Sequence, residues 1–111
     1  MKESPIFSRT YDLLCWIIPV TIKFPRQHRF VLAQAVQQTT LQFQEDLIEA
    51  SMIDQPSEIL RQADINLMKL RTYLRLCRDL ELLNMGQYEH VARMLSEIGR
   101  LLGGWLKNVR K

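Results

Sequence analysis

Leu60, Ala63, Leu67, Leu70, Leu74 and Cys77 follow one another at steps of three and four residues. That spacing gathers apolar side chains on one face of an α-helix and is incompatible with the two-residue period of a half-buried strand. The same rhythm recurs in Phe30, Ala33, Val36, Thr40, Phe43, Leu47 and Ala50, and again in Tyr88, Val91 or Ala92, Leu95, Ile98, Leu102 and Trp105. No alternating run bounded by turn residues competes with it. The fold is therefore restricted to packed helices.

Prolines and glycines punctuate four segments. The first runs from about Ser4 to Ile22, with Ser4 placed to cap and Pro5 suited to the first helical position. Its apolar face is broad (Phe7, Leu14, Trp16, Ile17, Ile18 and Val20), and Pro19 should kink or end it near its last turn. The turn KFPR follows, and the second helix runs from about Pro25 to Ile53. DQPSE breaks the chain again before a third helix, from about Pro56 to Asn84. Gly86 in NMGQ is expected to take the left-handed position that closes this helix. The fourth runs from about Gln87 to Lys107, with NVRK beyond it frayed. Short links make neighbours antiparallel, so the 111 residues are expected to form a single all-α domain, an antiparallel up-down-up-down four-helix bundle. Ile65, Met68, Leu76 and Leu83 lie off the third stripe and suggest helix faces covered by other subunits.

With 47% hydrophobic and 24% charged residues the chain has an ordinary globular composition. Cys15 and Cys77 are too few for a disulfide framework and read as reduced core or interface thiols. The longest apolar run, Leu13 to Val20, contains Pro19 and falls far short of the roughly 20 residues that span a bilayer. Residues 1–4, MKES, do not open a signal peptide. A cytoplasmic protein without membrane contact is expected.

Charge is segregated. The formal net is +3, but residues 45–64 carry Glu45, Asp46, Glu49, Asp54, Glu58 and Asp64 against Arg61 alone, a net of −5. The rest of the chain therefore nets +8, which hints at an acidic partner such as nucleic acid. An up-down bundle places Lys23, Arg26 and Arg29 at the end shared with Arg75 and Arg78, and the acidic segment at the other, within reach of the basic tail.

Catalytic patterns are missing. His28 and His90 form no Glu-x-x-His pair, no phosphate-binding glycine loop occurs, and the two cysteines lack the partners of a zinc site. No metal, cofactor or enzymatic activity is expected. The sharpest pattern is LRTYLRLCRDL, where Arg71, Arg75 and Arg78 at i, i+4 and i+7 share one helix face. Arg75 can reach Asp79, and Arg78 can reach Glu81. The stripe is either a solvated or ion-paired face, or a row of guanidinium forks for phosphates. Arg93, Arg100 and Lys107, with Glu89 and Glu97 alongside, read as ordinary surface pairs. Gly99, Gly103 and Gly104 weaken the last helix by about 1 kcal/mol each. They are expected to admit close packing within the bundle or between subunits, with a ligand groove as the other reading.

WIIPVTIKFPRQHRF, LRTYLRLCRDL and EIGRLLGGWLK together resemble the four-helix-bundle family of the accessory variability determinant of diversity-generating retroelements. The same superfamily holds the proteins encoded by intervening sequences of bacterial 23S rRNA genes. The resemblance spans roughly Tyr11 to Lys107. It implies a homopentameric, non-enzymatic subunit that binds a reverse transcriptase, and RNA and DNA through positive charge. It places nucleic-acid or partner contacts at Arg71, Arg75 and Arg78, and secondarily at Lys23, Arg26 and Arg29. Membership of the intervening-sequence branch implies instead a structural or protein-interaction module without nucleic-acid binding.

Overall fold

Pro5 opens α1, Pro5–Thr21. In the computed structural model, which describes residues 4–109, the hydroxyl of Ser4 makes no capping bond; its carbonyl instead accepts from the Phe7 N–H at 3.3 Å. The helix stops two residues after Pro19, where the Thr21 hydroxyl donates to the Ile17 carbonyl at 2.8 Å. Its buried seam is Ile6, Thr10, Leu13, Ile17 and Thr21. This seam lies to one side of the face expected from the sequence, because two threonines occupy core positions and Ile18 turns outward.

Phe24, buried in the turn, anchors the chain reversal. The second helix, α2, runs in three consecutive pieces: Arg26–His28, a π-helical turn Arg29–Ala33, and Gln34–Ser51. Val36, Thr40, Phe43, Leu47 and Ala50 are buried as the stripe requires. Phe30, which the same stripe placed inside, is 78% exposed. The π turn accommodates one residue more than an α turn would, so the regular register is lost upstream of Ala33. Leu32 and Phe24 reach the core in place of Phe30.

α3, Ser57–Asp79, buries all six residues of its stripe. It ends earlier than expected. Glu81, not Gly86, takes the left-handed conformation (φ 65°), and the N–H groups of Leu82 and Leu83 return to the Cys77 carbonyl at 2.8 and 3.3 Å. These bonds satisfy carbonyls of the last turn and fold Leu83 into the core. Gly86 lies instead in the first turn of α4, Met85–Val109. That helix starts on a reciprocal cap: Asn84 Oδ1 accepts from the Gln87 N–H at 2.7 Å, and Gln87 Oε1 accepts from the Asn84 N–H at 2.9 Å.

Each helix packs against its sequence neighbours, and α1 closes on α4, giving the square up-down-up-down bundle. No strand occurs among the described residues. One core runs the length of the bundle, with Phe43, Leu13, Ile17, Leu60 and Leu102 fully buried; each such side chain contributes about 1.5–3 kcal/mol. Polar ties cross between helices. Asp46, almost fully buried on α2, accepts from Asn66 Nδ2 of α3 at 2.7 Å and from Gln42 at 3.0 Å. Gln37 Nε2 of α2 donates to the Thr21 hydroxyl of α1 at 2.8 Å.

Candidate nucleic-acid interface

Arg71, Arg75 and Arg78 lie on the flank of α3 that turns toward α4. Arg71 crosses the joint between the two helices. Its Nη2 donates to the Leu95 carbonyl at 3.3 Å, and the guanidinium lies over Gly99. A Cβ on Gly99 would stand 2.5 Å from that nitrogen, so the glycine is the space the arginine occupies. Arg71, Leu74, Tyr88 and Leu95 line a cleft of about 170 Å³ here. Gly103 and Gly104 differ: a Cβ at either would meet nothing within 4 Å. Close packing at those two positions is therefore not with this chain's own described residues.

Arg78 is also engaged. It pairs with Asp79 (Nη2 to Oδ1, 2.9 Å), and its guanidinium carbon sits 4.6 Å from the centre of the Tyr88 ring. That places a cation on an aromatic face. Asp79 therefore does not serve Arg75, and Glu81, carried off by the end of α3, does not serve Arg78. Arg75 is exposed and has no ion-pair or hydrogen-bond partner among the described residues. On α4, Arg100 pairs with Glu97 at 2.8 Å.

Lys23 sits where the α1–α2 turn meets the α3–α4 turn, and Arg26 and Arg29 follow it on the first turns of α2. A cleft of about 250 Å³ holds Lys23, Phe24 and Pro25 from the first together with Glu81 and Leu82 from the second. The geometry thus brings the basic turn to the end toward which the α3 arginine row runs. None of the three cations has an ion pair among the described residues. At the opposite end Glu45, Glu49, Asp54 and Glu58 are exposed, whereas Asp46 is withdrawn into the α2–α3 contact. The tail residues Arg110 and Lys111 lie outside the described residues.

No group of three or more His, Cys, Asp or Glu side chains arranged to hold a metal occurs among the described residues. His90 lies against Trp16, with ring centroids 5.4 Å apart. Cys15 is exposed; Cys77 is buried among the core leucines, where desolvation of the thiolate lifts its pKa to about 11. Among the described residues no helix is long and apolar enough to cross a membrane.

Together these features make a square four-helix bundle with a basic flank and a basic end. The chain belongs to the bAvd-like family, whose model matches residues 5–109. Its fold is also that of a protein of unknown function from the S23 ribosomal protein family of Bacteroides thetaiotaomicron VPI-5482, with a TM-score of 0.86 at 18% identity, covering 96% of this chain and 99% of that one. No curated protein matches the sequence.

Sequence reasoning placed the cations on their elements. It missed the insertion of Arg71 over Gly99, which only the facing of α3 and α4 reveals. It also missed the exposure of Phe30, for which the signal was the three cations in the seven residues immediately before an otherwise core-like aromatic.

Proposed function

We propose that this protein is a non-enzymatic accessory subunit of a diversity-generating retroelement. It binds the element's reverse transcriptase and holds template RNA or cDNA through phosphate contacts with Arg71, Arg75, Arg78, Lys23, Arg26 and Arg29. The observation that carries this reading is the set of exposed cations without ion pairs among the described residues, Arg75, Lys23, Arg26 and Arg29, in a chain of the bAvd-like family. Such contacts bind the backbone without reading bases. Exposed Tyr11 and Ile18 on α1, and Ile65, Met68 and Leu76 on α3, support assembly as a homo-oligomer, a pentamer in the form the resemblance implies.

Replacing Lys23, Arg26, Arg29 and Arg75 with glutamate tests the reading, since none of these side chains packs into the core. Duplex DNA and structured RNA should bind the natural protein with a log–log salt slope near 0.9 per phosphate neutralised on duplex, and the variant should lose both affinity and slope. Unchanged binding overturns the proposal. A second reading, a structural or interaction module of the intervening-sequence type, is favoured by the engagement of Arg71 and Arg78 within the α3–α4 joint. It predicts that the same charge reversal dissociates the assembly, with the acidic 45–64 segment of a neighbour as the lost partner.

A further inference from the structure

Phe30 stands 78% exposed and Val31 68% exposed on the π turn of α2. Burying a phenylalanine stabilises a fold, and this bundle forgoes that gain at a position that the helical stripe assigns to the core. π turns inserted in helices are frequent at functional sites. The surroundings of the ring are cationic. Arg26 precedes it by four residues and Arg29 by one, and the two arginines share with Phe30, Gln34 and Gln37 an open depression of about 450 Å³. No acidic residue occurs in the sequence between Asp12 and Glu45. Across the cleft beside Lys23, the carboxylate in the lining is Glu81 of the α3–α4 turn. Gln34 is exposed and its amide makes no hydrogen bond among the described residues.

We infer that Phe30 is a stacking platform for an unpaired nucleobase, with Arg26 and Arg29 holding the flanking phosphates and the Gln34 amide within reach of the base edge. The site thus selects single-stranded nucleic acid. This rests on the nucleic-acid reading above and sharpens it from backbone attraction to a preference for strands whose bases are free. A flat ring that lines one open depression with two planar cations and two glutamine amides fits a base and its phosphates. A helical protein segment would call for an apolar groove several turns long. Stacking on an aromatic side chain is sequence-tolerant and contributes about 1–3 kcal/mol per base, which corresponds to roughly a 5- to 150-fold change in affinity.

The test compares Phe30→Ala, Phe30→Tyr and the natural protein on oligo(dT) and oligo(U) of about 12 nucleotides and on a blunt duplex of equal length. A 2-aminopurine base in each single strand reports stacking by its quenching. Phe30 is at the surface, so circular dichroism of the alanine variant should match the natural protein. The expected result is a loss of at least about 5-fold in single-strand affinity and of 2-aminopurine quenching for Phe30→Ala, retention of both for Phe30→Tyr, and no change on the duplex. Single-strand affinity indifferent to Phe30, with duplex binding still salt-dependent, overturns the stacking site and leaves the phosphate-contact reading standing. Absence of binding to every strand overturns both. Loss of reverse transcriptase binding in Phe30→Ala with nucleic-acid affinity unchanged also overturns the stacking site and assigns the ring to a protein partner.

Discussion

Substituting alanine for Gly99 sets two effects against each other, and their balance depends on one residue of another helix. Alanine is favoured over glycine by about 1 kcal/mol in a helix interior. The new Cβ, however, would stand 2.5 Å from Arg71 Nη2. The guanidinium must withdraw, and its bond to the Leu95 carbonyl is lost. At 3.3 Å and on an exposed residue that bond contributes about 0.5–1.5 kcal/mol. Gly99→Ala alone should therefore leave stability within about 0.5 kcal/mol of the natural protein. In an Arg71→Ala background the clash is gone, and the same change should stabilise by the full amount, about 1 kcal/mol. The double-mutant cycle then yields a coupling of about 1 kcal/mol. Gly103→Ala serves as the control, since its Cβ would meet nothing within 4 Å; it should stabilise equally with and without Arg71. Urea unfolding followed by far-UV circular dichroism measures all of these. Protein concentration is held fixed because assembly shifts apparent stability. Equal stabilisation by Gly99→Ala in both backgrounds would refute the assignment of the glycine as the seat of Arg71.

Asp46→Ala should destabilise by about 1–3 kcal/mol in the same assay, because it strands the Asn66 amide in the α2–α3 contact; replacing both residues with leucine should recover most of that loss. Asn84→Ala removes one half of the reciprocal cap of α4 and should cost about 1 kcal/mol, with amide exchange accelerated first at Gln87. At pH 8 a disulfide reagent should titrate one thiol per folded chain, Cys15, and two after denaturation. The raised pKa of Cys77 means that its neutral form favours the fold below pH 9.0; that contribution should fade as pH rises from 9.0 toward about 11, since the unfolded chain loses the proton first.

Three of the four helices, and the core faces of the last two, follow directly from spacing: Leu60 to Cys77 and Val91 to Leu102 are buried where the period puts them. Periodicity is readable because burial repeats along one element. What escaped it depends on a change of period or on two elements at once. Phe30 belonged to the pattern until the π turn changed its phase. The end of α3 was assigned to Gly86 from glycine's tolerance of positive φ, yet Glu81 takes that conformation because Leu82 and Leu83 must turn back to the Cys77 carbonyl. Asp46 looked like one more surface acid, and its burial depends on Asn66 lying opposite on a helix whose register the sequence does not print. The arginine row was legible as a row. That Arg71 and Arg78 lean on α4 while Arg75 stays free depends on the packing angle of two helices.

The π turn of α2 also bears on how the chain tolerates change in length. A regular helix transmits any one-residue insertion or deletion along its whole axis, rotating every later side chain out of place. Here the extra residue is taken up between Arg29 and Ala33, so Val36 to Ala50 keep their seats while the cationic segment before it follows a separate frame. The exposed positions of that end, Arg26, Arg29, Phe30 and Val31, can thus be rebuilt while Phe24 and Leu32 hold the segment to the core.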